Sequence, residues 1–221
     1  MMFAPAALVV SLALAQASAA PEPAEQTLPP RTYELMIDGE SFLIDLDRQS
    51  KLQSKEKPGT AYQVAVRISP QQRIELNSLR FQYDWPATVS DDHGRPARSV
   101  RVRSEAGYTI LLTDMGNTVE AREEALKILI ESATESIRDS GGTAIVAGKP
   151  HDRKFAGCEA KGTTLRYKDR QDFEQTCVVY LLTAPNFAAS CVVQYFEKDA
   201  ETVLPRLKAV LDSVQALRAG K

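Results

Sequence analysis

The sequence predicts an α+β fold: an antiparallel β-sheet flanked by helices, an α-β-α sandwich, with a β-hairpin added at its N-terminal end. Three observations predict it. Two amphipathic helical stretches lie at residues 117–140 and 202–219. Between them, three strand-like runs at 158–167, 175–183 and 187–196 are joined by short polar turns, which makes an antiparallel meander. Far upstream, Asp38-Gly39 separates two short apolar-alternating runs, and Asp-Gly supplies the positive φ of a tight hairpin turn.

The first segment bears on compartment. Residues 1–21 carry no charged side chain, and an apolar run at 6–15 is followed by Ala17-Ser18-Ala19. That order is the layout of a signal peptide, residues 1–19, cleaved after Ala19. The absence of Lys and Arg before the run is the one departure, and it keeps an uncleaved apolar anchor as the competing reading. The run is short against the ~20 apolar residues a membrane span needs. No Cys precedes Cys158, which excludes a lipid-anchored Cys at the cleavage point. No later stretch is long and apolar enough to span a membrane. The expected location is therefore exported, to the periplasm or beyond the cell.

Residues 20–31 (APEPAEQTLPPR) are rich in Pro and carry Glu, a linker composition that cannot build a core. Residues 32–221 are expected to form a single α+β domain, with the N-terminal addition in 32–70. A net charge of −2 offers no electrostatic basis for binding nucleic acid or an anionic membrane.

Along that domain, 33–37 and 41–45 form the hairpin, 47–57 reads as a short helix or loop, and 61–68 alternates as a strand. Residues 74–83 read as one further strand. Residues 84–98, with Trp85-Pro86 and the turn-rich 91–96, read as a surface loop. Short alternating strands follow at 99–103 and 108–113, with a turn at Gly107. Asn117 and Glu120 have the spacing of a capping box. Leu126, Leu129, Ile130, Ala133 and Ile137 then recur on one helical face, and Gly141-Gly142 ends the helix. Residues 143–147 are strand-like and 148–154 read as a polar turn. In the last helix Val203, Leu207, Val210, Leu211, Val214 and Leu217 form the apolar face. Pro205 requires a start near Thr202, because only the first turn tolerates a residue without an N–H.

Cys158, Cys177 and Cys191 are odd in number and lack CxxC spacing, so neither a zinc knuckle nor a thioredoxin-type site is indicated. They read either as small buried hydrophobes or as one disulfide with a leftover thiol.

Several stretches together resemble the PsbP/Mog-type superfamily, which includes exported bacterial relatives of unknown role. They are the helix at 119–138 ending in Gly-Gly, the segment 155–162 (FAGCEAKG), 177–182 (CVVYLL), 191–196 (CVVQYF) and the closing Leu211-Asp-Ser-Val214. The resemblance covers roughly residues 81–217. It implies an α-β-α sandwich around an antiparallel sheet, and binding or assembly roles in place of catalysis. It carries over no site residue, because none of these stretches is a binding or catalytic signature.

Candidate chemistry is sparse. Asp91-Asp92-His93 has metal-ligand residue types, but the same types dominate solvated turns, and no metal site is expected there. His151-Asp152 has the residue types of an oriented base, and Cys158 is the nearest nucleophile in sequence. A thiol opening a strand is better read as packing, so no catalytic residue is assigned. No phosphate-binding Gly loop, HExxH, GxSxG or dinucleotide fingerprint occurs, and no cofactor is expected. Arg101 and Arg103 share one face of a short strand, with Val100 and Val102 on the other, and Trp85 is an aromatic neighbour in sequence. These three residues form the expected partner-binding surface, against the alternative that the arginines are simply the solvated face of an edge strand. The expected function is an exported, non-catalytic binding or assembly module whose partner is an envelope or secreted protein. The alternative is an exported hydrolase-like enzyme using a His-bearing loop.

Overall fold

Period-two alternation dominates the chain and builds the main sheet. The structure, a computed structural model, describes residues 32–37, 40–45, 64–76, 78–92, 97–115, 122–185 and 187–217. Its strands are β1 (Thr32–Ile37), β2 (Glu40–Asp45), β3 (Val64–Ile68), β4 (Gln71–Glu75), β5 (Leu79–Asp84), β6 (Ala87–Asp92), β7 (Arg98–Ser104) and β8 (Tyr108–Asp114). Helix α1 (Arg122–Asp139) follows, then β9 (Thr143–Ala147), β10 (His151–Phe155), β11 (Cys158–Lys168), β12 (Glu174–Ala184) and β13 (Phe187–Phe196). Helix α2 (Ala200–Asp212) and the short β14 (Gln215–Ala216) close the chain.

The main sheet runs β10-β11-β12-β13-β8-β7-β6, with β9 also paired to β11. All its pairings are antiparallel. The β11-β12-β13 meander is the predicted one. Strand β12 is buried on both faces because alternate residues feed two cores. Tyr180 and Leu182 enter one core, together with Cys191, Val193, Ile110, Leu112, Val100 and Val102. Helix α2 closes that face through Val203, Leu207, Val210 and Leu211. Cys177, Val179 and Leu181 enter the second core, closed by Leu126, Leu129, Ala133 and Ile137 of α1. The result is the predicted α-β-α layering.

Helix α1 ends where Gly141-Gly142 requires. Gly141 has φ +83°. Its N–H donates to Arg138 O, and the Gly142 N–H donates to Ile137 O. This reciprocal pair is a Schellman motif, and the left-handed position in it favours glycine. The Asn117 cap lies outside the described residues.

The predicted N-terminal hairpin is present as β1-β2, and β3 pairs with the other edge of β1. Its Asp38-Gly39 turn, the 47–57 segment and the 1–31 leader and linker lie outside the described residues. A buried side chain ties this sheet to the rest. Gln72 Oε1 accepts the Thr32 N–H at 2.8 Å, and Gln72 Nε2 donates to Thr32 O at 2.8 Å and Ser69 O at 2.9 Å.

Four sequence expectations need correction. Residues 74–83 are two strands: Leu76 and Leu79 exchange backbone hydrogen bonds across a turn, so β4 and β5 form a hairpin. The expected loop at 84–98 contains β6, whose Ala87 and Val89 are buried and whose edge pairs with β7. The expected turn at 148–154 contains all of β10 except Phe155. The last helix starts earlier and ends earlier than its periodicity predicts. A 3-10 turn, Glu197–Asp199, leads into it, so Pro205 sits beyond the first turn, at an exposed position. At the other end Ser213 Oγ accepts the Gln82 N–H at 2.8 Å, and the chain leaves the helix to run along β5. Val214 is buried outside the helix, so its apolar character belongs to this junction. Among the described residues no helix is long and apolar enough to cross a membrane.

Candidate functional site

Strand β10 forms part of one edge of the main sheet, and its register with β11 decides what faces α2. His151 lies opposite Gly162, Arg153 opposite Ala160 and Phe155 opposite Cys158. Alternation therefore puts His151, Arg153 and Phe155 on the α2 side, and Asp152 and Lys154 on the other. On the next strand Tyr180 lies opposite Gly162. Tyr180 meets His151 edge to face with ring centroids 5.5 Å apart, and its Oη is 3.4 Å from His151 Nε2. Phe155 packs on the same ring, again edge to face, at 5.8 Å.

Arg153 links β10 to the end of α2. Its guanidinium stands 5.2 Å from the Phe155 ring centroid and makes an ion pair with Asp212 at 2.7 Å. Lys208, one turn before Asp212, reaches the same carboxylate at 2.5 Å. The Lys208 ammonium, and then Arg153, hold the Asp212 carboxyl below its ordinary range. Burial raises the Tyr180 phenol, with Arg153 opposing.

Between these elements lies a groove of about 630 Å³. Val178, Tyr180, Val193 and Tyr195 form its floor, while Leu204, Leu207 and Leu211 form the α2 wall. Leu204 is 45% exposed, an uncovered apolar side chain at the rim. A second cavity, about 360 Å³, opens near the C-terminal end of α1. Its polar groups are largely joined to one another: Tyr167 Oη donates to Gln175 Oε1 at 2.9 Å and Gln175 Nε2 to Asp169 Oδ2 at 2.9 Å.

The His-bearing chemistry takes a different form from the expected one. His151 lies in a strand, and its ring bonds to Tyr180. All three cysteines are free and buried. Burial pushes the Cys158 thiol up to about 11, and the Cys177 and Cys191 thiols up to about 12. At neutral pH these groups are thiols and weak nucleophiles. Asp91 and Asp92 belong to β6 instead of a turn, and Arg98 grips Asp91 through both carboxylate oxygens, at 3.0 and 2.6 Å. His93 lies outside the described residues. Among the described residues no group of three or more His, Cys, Asp or Glu side chains is arranged to hold a metal ion.

Arg101 and Arg103 stand on one face of β7, opposite the fully buried Val100 and Val102. Arg103 is exposed and Arg101 half-buried. Helix α1 packs mainly over β12, β11 and β9, so the arginines lie toward the other end of the sheet. Trp85 is half-buried at the corner between β5 and β6, where its backbone N–H donates to Pro70 O at 2.9 Å and its peptide bond to Pro86 is cis. The corner adjoins the Ser104 end of β7, through the Ala87–Ser104 pairing. The groove was not legible as a site. Its one available signal was the alternation of His151 and Arg153, in a stretch read as a turn, with Phe155 just after it.

No protein-family model matches the chain, and no curated protein matches it in sequence. Solved structures do match. The solution structure of cyanobacterial PsbP (CyanoP) from Synechocystis sp. PCC 6803 aligns with a TM-score of 0.53 at 13% identity, covering 76% of this chain and 100% of that one. A Bacteroides thetaiotaomicron protein aligns at 0.47 and 9% identity over 69% of this chain, which spans only 51% of that protein's length. LpqN, involved in cell envelope biogenesis of Mycobacterium tuberculosis, aligns at 0.44 and 9% identity, over 68% of this chain and 87% of that one. The CyanoP alignment gives the chain a PsbP-like fold, as the sequence resemblance implied.

Proposed function

We propose that this chain is an exported, non-catalytic binding module, in which residues 1–19 are a cleaved signal peptide, 20–31 a linker and 32–221 a single domain. Its partner is a protein of the envelope or the secreted fraction. The observation that carries the reading is the β7 face. Arg101 and Arg103 project from a strand whose other side is sealed by Val100 and Val102, away from the strands that α1 covers. Two guanidiniums on a rigid strand suit an acidic protein surface, because Arg forks pair with carboxylates in fixed geometry. Trp85, at the adjoining corner, supplies an aromatic anchor. The PsbP-like fold, the buried thiols and the strand setting of His151 support binding over a hydrolase built on a His-bearing loop.

The test is purification of the full-length, C-terminally tagged protein from the envelope and the medium, with mass spectrometry of what accompanies it. The reading expects a mature N-terminus at Ala20 and a stoichiometric partner that Arg101→Glu/Arg103→Glu releases. Recovery from the cytoplasm with an intact leader refutes export. A partner retained undiminished by the double variant refutes the β7 surface.

A further inference from the structure

We propose that the groove between β10 and α2 is a binding site for a small amphiphile carrying one carboxylate on an apolar body. The site is independent of the β7 surface. Its size of about 630 Å³ falls within the ~300–1,000 Å³ of small-molecule sites. The lining divides by chemistry. Val178, Val193, Leu204, Leu207 and Leu211 offer aliphatic surface, and Tyr180, Tyr195 and His151 offer ring edges. Such a surface holds an apolar body out of water and gives it no orientation.

Orientation comes from charge. On the α2 side of β10, Arg153 and Lys208 share a single carboxylate, Asp212. Two cations against one anion leave an excess positive charge at one end of the groove. Asp152 and Lys154 also border the groove, and their opposite charges leave this excess unchanged. The excess is local, because the whole chain carries −2. Exposed Leu204 stands one turn before Lys208 on the same helix. The α2 wall therefore presents an apolar side chain and a cation within one turn. A ligand with its apolar body on Leu204 and Val178 and its carboxylate toward Lys208 and Arg153 satisfies both ends. Tyr180 Oη and His151 Nε2 stand nearby as further hydrogen-bonding groups.

The probes are naphthoate, naphthamide and naphthylmethylammonium, three ligands of one shape and different charge. Each is titrated into the isotope-labelled protein and followed by amide chemical shifts. Naphthoate is expected to saturate, moving His151, Arg153, Leu204 and Lys208, and to bind about tenfold or more tightly than the other two, the scale of a charge-assisted hydrogen bond. Lys208→Gln is expected to remove about that tenfold preference while leaving naphthamide affinity unchanged. Leu204→Glu is expected to weaken naphthoate further. Both positions are exposed, so the unliganded spectra of the variants report that the fold is intact. Equal affinity for all three probes overturns the proposal, as does binding that both variants leave unchanged. A groove that refuses naphthoate and accepts the C-terminus of a peptide overturns it too.

Discussion

Tyr180 leans over Gly162, its cross-strand partner, and the lean brings its hydroxyl to His151. A Cβ at Gly162 would lie 2.7 Å from Tyr180 Cε1, closer still to Cδ1, and 2.9 Å from Val179 O. The missing side chain thus shapes the floor of the groove. Gly162→Ala is expected to destabilise the protein by about 1–3 kcal/mol through overpacking. In a Tyr180→Leu background the cost should fall, since the ring is what the new methyl meets. Denaturant unfolding of the two single variants and the double variant measures this coupling. Additive costs would show that the ring and the glycine are independent.

The Gln72 amide holds the N-terminal sheet to the rest of the chain. Gln72→Leu removes three hydrogen bonds and leaves both backbone groups of Thr32 without this side-chain partner. We expect a loss of about 2–4 kcal/mol and, more diagnostically, faster amide exchange in β1 than in β12. Uniform loss of protection across both strands would show that the two sheets unfold as one unit.

The buried thiols make stability fall with pH in the alkaline range. In the unfolded chain they ionise near the ordinary value of 9.0, while the folded thiols ionise near 11 for Cys158 and 12 for Cys177 and Cys191. Above pH 9 the unfolded state therefore binds fewer protons, and stability must fall as pH rises toward the folded values. Each thiol contributes a slope of up to about 1.4 kcal/mol per pH unit. Replacing Cys158 with Ala should flatten the decline above pH 9 measured by chemical denaturation. In the native protein at neutral pH, all three thiols should resist a disulfide reagent until the chain unfolds.

Ser213 marks the exit from α2. Its hydroxyl donates to Val210 O at 2.6 Å and accepts the Gln82 N–H, which joins helix end to β5. Ser213→Ala should cost about 1–2 kcal/mol, the scale of two lost hydrogen bonds. The Gln82 amide should then exchange faster while amides in the middle of α2 stay protected. Unchanged exchange at Gln82 would mean that β14 alone holds the junction.

The helix-bounded half of the chain was legible because its signals are local. Gly141-Gly142 ends α1 by backbone geometry, and the meander at 158–196 alternates or runs apolar over lengths that only strands joined by short turns can use. The β1-β2 hairpin followed from Asp38-Gly39 in the same way. Where the reading failed, a distant partner decided the conformation. Residues 87–92 and 151–155 carry turn and polar residues, yet each becomes a strand because β7 or β11 supplies the backbone partners. Val214 and Leu217 keep helical spacing, but hydrogen bonds to β5 outcompete another helical turn.

By itself the sequence determined the layer pattern, the buried face of α1, that of α2 up to Leu211, and the opposition of Arg101 and Arg103 to Val100 and Val102, since each depends only on the period of side-chain direction. The tertiary structure alone decided the groove. Arg153 and Asp212 are 59 residues apart in the chain. Their meeting depends on how β10 registers against β11 and how α2 lies across the sheet, and both are set by packing at long range.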